Sequence, residues 1–569
     1  MLPLSRKWRS YFWIALVLAI VILSWIGLSL VYPETSTLRY LPDRIFRILK
    51  ILAGNDPLGS SVEPVGLTWQ MIAVKILVII LLLRVVLKVI LSVFSEQFTA
   101  LRAGFKRGHT IVVGAGENAS KLLSDYLQQT GQHAVVIEID GNRKSIKAIR
   151  EQGHLVVIGD ATKEETLRTV GVARASNLIC FTKDSSLNAK VDSTSRRVCR
   201  MASDDHVINS FLHLNNPRLL NLLPSQKALL TSDHVKTNFF NVDQMIARQF
   251  FHQLAIDLSA ELQSPGKCWR FLFFGASSTA QALLLQLLRV FHLASKEASE
   301  CVIFCEKAAE NKARLSDRYP QAASIAGLTF VEFDFRYTDL LENYVFHKND
   351  HMDIVAIVAM ESDDINLSVA NELLAKSNQS DFPIYCQNSN TTALTELLTQ
   401  LSPQPRLRYF GRQSDFCRFE LITAEKQDKL AKAFHLDYQL QVAGASSESA
   451  SYQSAWDILP EDARDANRAQ ADHIIYKLIL TNKLKSFQEG KALIFTPEEC
   501  EELAMVEHRR WMAHRYLNGW SFGERRDDRH KLHPSLITWE ALSETEKQKD
   551  RDTILRLPAL LDEPAKVMW

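Results

Sequence analysis

Apolar residues crowd the first hundred positions of the 569-residue chain, then recur as short runs between amphipathic stretches. From Ser10 to Pro33 no charge interrupts YFWIALVLAIVILSWIGLSLVY, a run longer than the ~20 residues that carry a helix across a bilayer. A second stretch, TWQMIAVKILVIILLLRVVLKVILSVF, predicts another span over 69–93. Snorkelling places Lys75 towards the outer face of that span and Arg84 and Lys88 towards the inner one. Between the spans, LPDRIFRILKILAG has the pattern of a short interfacial helix. Past Arg107 the period changes, and apolar strands alternate with amphipathic helices twice, over 107–255 and 265–438. A Ser/Gly/Ala-rich string over 439–455 reads as a linker, and 456–569 is patterned for helices.

Charge and composition narrow the function classes. Lys+Arg 66 against Asp+Glu 65 gives a net charge of +1, which excludes a strongly basic nucleic-acid binder. A hydrophobic content of 47% excludes wholesale disorder. None of the eight cysteines forms a CxxC pair, so they read as buried free thiols in a reducing compartment, with no zinc-ligand spacing. Arg6, Lys7 and Arg9 precede the first span, and Arg102, Lys106 and Arg107 follow the second. The positive-inside rule then puts both termini in the cytoplasm of an inner (cytoplasmic) membrane protein spanning residues 1–106 with its two helices. No TVGYG-like string follows the interfacial helix, so the carbonyl ring that selects potassium is missing.

The sharpest short signal is HTIVVGAGENASKLLSDYLQQTGQHAVVIEID. A strand, Thr110–Val113, runs into Gly114-Ala-Gly116-Glu-Asn118-Ala119 and a helix, and a second strand ends at Glu138. Gly114 permits the tight turn, and Gly116 lets backbone approach a pyrophosphate at the helix N-terminus. Ala119 stands where a third glycine is usual. Glu138 is placed to accept hydrogen bonds from a ribose diol, and its charge disfavours a 2′-phosphate. The expected ligand is therefore NAD(H), ATP or ADP rather than NADPH. Further on come a strand ending in Gly159-Asp160-Ala161-Thr162 and another ending in Thr182-Lys-Asp184, followed by Asn188.

Over roughly Arg107–Phe250 the sequence resembles the nucleotide-binding domain of the regulator-of-potassium-conductance (RCK, TrkA-N-like) family. The marks are the Gly-x-Gly turn, the ribose-binding acid, the GDA[ST] strand end and a TxDDxxN segment. Ser185 stands where the second aspartate of that last segment is expected. The resemblance implies nucleotide contacts at Gly114, Gly116, Asn118, Glu138, Asp160, Ala161 and Thr182, with Asn118 facing the phosphates and Asp160 the sugar or base. It also implies control of an ion channel or transporter. From Trp269 the same order recurs in degenerate form: Gly275-Ala-Ser277-Ser-Thr-Ala280, a strand ECVIFCE ending at Glu306, Asp334 near the GDAT position, then Asp363, Asp364 and Asn366. Added side chains at Ser277 and Phe335-Arg336 crowd the place of a pyrophosphate. This second copy reads either as a structural partner or as a binder of a different ligand.

The last stretch, about 498–566, closely resembles the RyR domain, the small helical repeat of ryanodine receptors. Its marks are EHxRW at Glu507–Trp511, GWxFG at Gly519–Gly523, KxHP at Lys531–Pro534 and EKxxDR at Glu546–Arg551. Trp511, Arg515, Trp520, Lys531 and His533 are expected to line a basic, aromatic pocket for a phosphorylated or nucleotide-like ligand. The alternative is that the tryptophans are core and the charges a solvated face.

The expected fold class is thus multidomain: two transmembrane helices, tandem α/β Rossmann-like domains and a small, mainly helical C-terminal domain. The expected function is a membrane-anchored, homo-oligomeric nucleotide sensor, without catalysis, that regulates ion transport as a channel or as a regulatory subunit. A non-conducting scaffold that recruits a signalling partner through its RyR-like module is the alternative. An NAD-dependent oxidoreductase is disfavoured, because no acid/base constellation such as Tyr-x-x-x-Lys follows the first fold.

Overall fold

The fold is described from a computed structural model covering residues 16, 18–26, 30, 41–52, 69–202, 206–215, 231–232, 234–264, 267–293, 299–335, 352–376, 382–389, 405–423, 428–443, 456 and 459–562. The chain divides into two compact units, Met1–Arg102 and Ala103–Trp569. In the first unit, helices Leu41–Leu52 and Trp69–Val93 meet residues of the first apolar run, so that Ile20, Ile48, Val74 and Val78 share a small core. Ile76, Ile79, Leu83, Val86 and Ile90 stay exposed around the longer helix, an arrangement water does not favour.

Among the described residues no single helix is long and apolar enough to cross a membrane, but the pair Ile72–Leu91 and Ser95–Gly104, bent by 70°, passes together. Three charges within Ile72–Leu91 (Lys75, Arg84 and Lys88) set that segment's polarity. Two clear spans are therefore not established. Most of the first expected span, 10–33, and all of the loop 53–68 lie outside the described residues.

The second unit holds two large, mainly parallel sheets, besides a two-stranded pair, Ser521–Phe522 with Leu532–His533, in its C-terminal part. In the first, β1 (Thr110–Val113), β2 (Val135–Glu138), β3 (Leu155–Ile158), β4 (Asn177–Cys180), β5 (Ile208–His213), β6 (Thr231–Ser232) and β7 (Val235–Phe240) lie in the order β3-β2-β1-β4-β5-β7-β6. Only the short β6 runs antiparallel. In the second, β8 (Cys268–Phe274), β9 (Glu300–Cys305), β10 (Gly327–Glu332), β11 (Met352–Val358), β12 (Ile384–Gln387) and β13 (Leu407–Phe410) lie in the order β10-β9-β8-β11-β12-β13.

Both orders reverse beside the first strand, which opens a crevice at the carboxyl ends of the strands. Strand composition explains the layers. In β1, Ile111 and Val113 feed one core and Val112 the other. In β8, Phe271 and Phe273 face one side while Leu272 and Phe274 face the opposite side. Strands apolar on both faces need helices on both faces.

The lobes are joined by helix Val242–Asp257, capped by the Asn241 side chain on Gln244 N at 2.8 Å. Its Met245 and Ile246 belong to the first lobe's core, and Phe250, Phe251 and Leu254 to the second's. Phe416, Cys417 and Ile422 return to the first lobe, where Phe419 packs edge-on to Tyr126 at 5.0 Å. Helix Lys429–Ala443 covers the first positions of the expected linker, and 444–455 lie outside the described residues.

The C-terminal module follows with helices Glu461–Asp472, Ile474–Leu480, Pro497–Leu517 and Glu544–Leu561. Thr496 and Glu499 close a capping box on the third of these, satisfying two of its orphan N–H groups. All eight cysteines are free, and seven are buried.

Candidate functional site

Strand β1 ends in a turn only glycine makes easily. Gly114 has φ +96°, and a Cβ there would sit 3.3 Å from Thr182 Cγ2. Gly116 then caps helix Glu117–Thr130 in extended conformation with no side-chain hydrogen bond to the first turn. The amides at that helix start remain available for an anion. Asn118 lies half-buried in the same turn.

Glu138 is 4% exposed. Its Oε2 accepts from Ala115 N at 2.7 Å and its Oε1 from Asp140 N at 3.1 Å, so the acid braces the glycine loop from below. Arg143 completes this arrangement, and sequence reasoning missed it. Its Nη1 lies 3.3 Å from Glu138 Oε2 and 3.7 Å from where a Gly116 Cβ would be. A guanidinium 45% exposed at the mouth of a phosphate-type loop is well placed to meet phosphate oxygens. Its position five residues past Glu138, in the loop after β2, was the available signal.

The remaining predicted residues converge on the same crevice. Asp160 Oδ1 accepts from Thr162 N at 2.9 Å and from Thr162 Oγ1 at 2.8 Å. These two bonds, the backbone one first, hold its carboxyl below the usual range. Ala161 is buried beside it. Thr182 Oγ1 donates to Asn188 Oδ1 at 2.7 Å, while Asn188 Nδ2 donates to the Thr182 and His213 carbonyls at 3.1 and 2.9 Å. Asn188 therefore clamps β4 to β5. Ser185 Oγ accepts from Asn215 N at 3.0 Å. The equivalent Asp363 of the second lobe accepts from Ser389 N at the same distance, so a hydroxyl here replaces the carboxylate without losing the bond.

Register shows what the second lobe lost. Val113 pairs with Ile137 and Phe274 with Phe304, so Cys305, not Glu306, occupies the position of Glu138. Strand β9 ends at Cys305, and Glu306 is exposed one residue beyond. Asp334 does stand at the position of Asp160, but Phe333, 1% exposed, replaces Gly159 and packs with Phe274 and Phe304.

Ser277 replaces Gly116 and caps its own helix. Its Oγ accepts from Ala280 N at 3.1 Å and donates to Ala359 O at 2.8 Å. The Ser277 hydroxyl thus takes one of the helix-start amides, which after Gly116 have no side-chain cap. Asp363 and Asp364 form the first turn of helix Asp363–Lys376. Among the described residues no group of three or more His, Cys, Asp or Glu side chains could hold a metal ion.

In the C-terminal module the motif residues divide into two groups. Glu507 is buried with Lys477 Nζ at 2.7 Å and accepts a fork of bonds from Arg510. Burial opposes its charge, and Arg510 and Lys477 outweigh that, holding the carboxyl well below the usual range. His508 bonds Ile537 O at 2.9 Å, and Arg551 bonds Glu501 and Glu544. These groups build the fold.

Trp511, Arg515, Trp520 and His533 come together instead. The Arg515 guanidinium lies 5.4 Å from the Trp511 ring and 4.6 Å from the Trp520 ring, with His533 5.0 Å from Trp511. Burial first, and then Arg526, pulls the Arg515 pKa down. Lys531 Nζ is directed to Asn518 O at 2.8 Å.

Residues 110–211 match the family model of the TrkA-N domain and residues 497–560 that of the RyR domain. No curated protein matches the chain. Among solved structures, it is similar to GsuK bound to ADP, at 15% identity and a TM-score of 0.37 over 72% of this chain and 95% of that one. It is also similar to the GsuK channel bound to NAD, at 13% identity and a TM-score of 0.39 over 75% and 85% of the two chains. The two domain matches fall on the first lobe and on the C-terminal module: the chain carries a TrkA-N domain and an RyR domain.

Proposed function

We propose that the chain is a membrane-anchored sensor whose first lobe binds NAD(H), ATP or ADP and thereby controls ion movement. The observation that carries this reading is the contrast between two equivalent helix starts, open at Gly116 and self-capped at Ser277. On binding, the pyrophosphate takes the amides after Gly116, Arg143 turns from Glu138 to the phosphates, and Glu138 is left to the ribose hydroxyls. A carboxylate has about four acceptor sites, enough to keep bracing Ala115 while holding a diol. Asp160 and Thr182 edge the sugar and base side.

Apolar residues exposed around the Trp69–Val93 helix support insertion in lipid, with both termini on the cytoplasmic side. A wide path needs several copies, so conduction by this chain requires a symmetric homo-oligomer. Otherwise it regulates a separate channel subunit. A nucleotide acts by preferring one arrangement of the two lobes and shifting that population. The Trp511–Arg515–Trp520–His533 cluster is the second recognition site, presenting guanidinium edges to an anionic ligand or a signalling partner.

Ion flux through liposomes holding the full chain tests the reading. Flux should change on adding ADP or NADH to the cytoplasmic face and stay constant in Gly116→Asp. Flux indifferent to nucleotide would leave regulation of a separate channel subunit, whereas failure of both ADP and NADH to bind the full chain, or steady oxidation of NADH, would overturn the reading.

A further inference from the structure

A cavity of about 470 Å³ lies between the second lobe and the C-terminal module where their contact opens, within the ~300–1,000 Å³ range of small-molecule sites. It lies at the starting end of β8, away from the crevice of either sheet. One wall is aromatic and fixed: Trp269 stacks on Phe271 and meets Phe291 edge-on at 5.4 Å. The other wall comes from helix Pro497–Leu517, where Arg509, Ala513 and Tyr516 recur on one face, and from Trp539 beyond it.

Charge enters from both modules. Lys267 Nζ is held 3.0 Å from Asp353 Oδ2, and Arg509 Nη1 donates to Leu293 O at 2.9 Å. Glu540 is the acid on the lining among the described residues. Burial lowers the Arg509 pKa, with Glu540 opposing. A partly desolvated guanidinium gains from an anion brought against it.

We propose that this cavity binds a planar aromatic molecule carrying one acidic group, its ring between the Trp269–Phe291 and Tyr516–Trp539 walls and its acid on Arg509. Such a ligand touches both modules, so it fixes the RyR domain against the second lobe independently of the nucleotide site.

The probe is indole-3-acetate, compared by calorimetry on the full chain with its neutral amide, indole-3-acetamide. The acid should bind at least tenfold more tightly, a gap of about 1.4 kcal/mol. Arg509→Gln should erase that preference. Ala513→Leu, which fills the cavity from the helix, should abolish binding of both probes while ADP still binds the first lobe. Ser299→Phe, on the opposite rim, gives the same outcome should Ala513→Leu fail to fold. Equal binding of acid and amide, binding that survives both filling variants, or no binding of the acid would overturn the proposal, whatever ADP does.

Discussion

Gly116 and Ser277 occupy the same position in two copies of one fold, and a single hydroxymethyl group separates an open helix start from a closed one. Gly116→Asp places a carboxylate where the phosphate belongs. It should abolish nucleotide binding while leaving the thermal midpoint unchanged or slightly raised, since an N-cap Asp exceeds Gly by only about a few tenths of a kcal/mol. Arg143→Ala touches an exposed side chain and should spare stability. It should weaken ADP about tenfold and adenosine hardly at all, which competition calorimetry resolves.

Asn188 is a different case, because it is buried and ties Thr182 to His213. Asn188→Ala strands several polar groups and should cost roughly 3 kcal/mol in urea unfolding. The glycine turn and the acid that ends β2 were legible in the sequence because strand, turn, helix and acid follow in that order. Arg143 was not, because loop geometry decides whether an arginine five residues downstream turns back.

At the scale of elements, strand and helix order was readable in both lobes, since apolar strands between helices leave few alternatives. The strand Thr110–Val113 falls where the sequence puts it. Register was not readable. Glu306 looked like the second lobe's counterpart of Glu138 because it ends the apolar run, yet pairing assigns that place to Cys305. The crowding at Ser277 was legible, but the packing of Phe333 edge-on against the stacked Phe274–Phe304 pair depends on register, which spacing does not show. Ser277→Gly alone should therefore not create a nucleotide site. It should cost about a few tenths of a kcal/mol, and calorimetry should still show binding only at the first lobe.

For the whole molecule, the crossover helix and the C-terminal module are locked by a buried charge network. Arg248 forks onto Asp472 at 2.8 Å for both bonds, Arg468 forks onto Asp428, and Gln286 Nε2 reaches Asp472 at 3.0 Å. Arg248→Met leaves a buried carboxylate short of its partner, which should cost about 3–5 kcal/mol. It should also split one calorimetric unfolding transition of the second unit into two.

Acid acts on both lobes and on the helix that joins them. Burial pulls His154, His252 and His292 down to about 4, against ~6.5 unfolded. Their contribution is complete above pH 6.5 and is lost as pH falls towards 4, because the unfolded chain binds more protons there. The urea midpoint should drop between pH 7 and pH 5, and His292→Gln should flatten that slope.

ADP calorimetry on the full chain, Gly116→Asp and Ser277→Asp shows whether the first lobe alone senses nucleotide. One site per chain is expected, lost in Gly116→Asp and intact in Ser277→Asp. Binding that survives Gly116→Asp, or disappears only in Ser277→Asp, would contradict it.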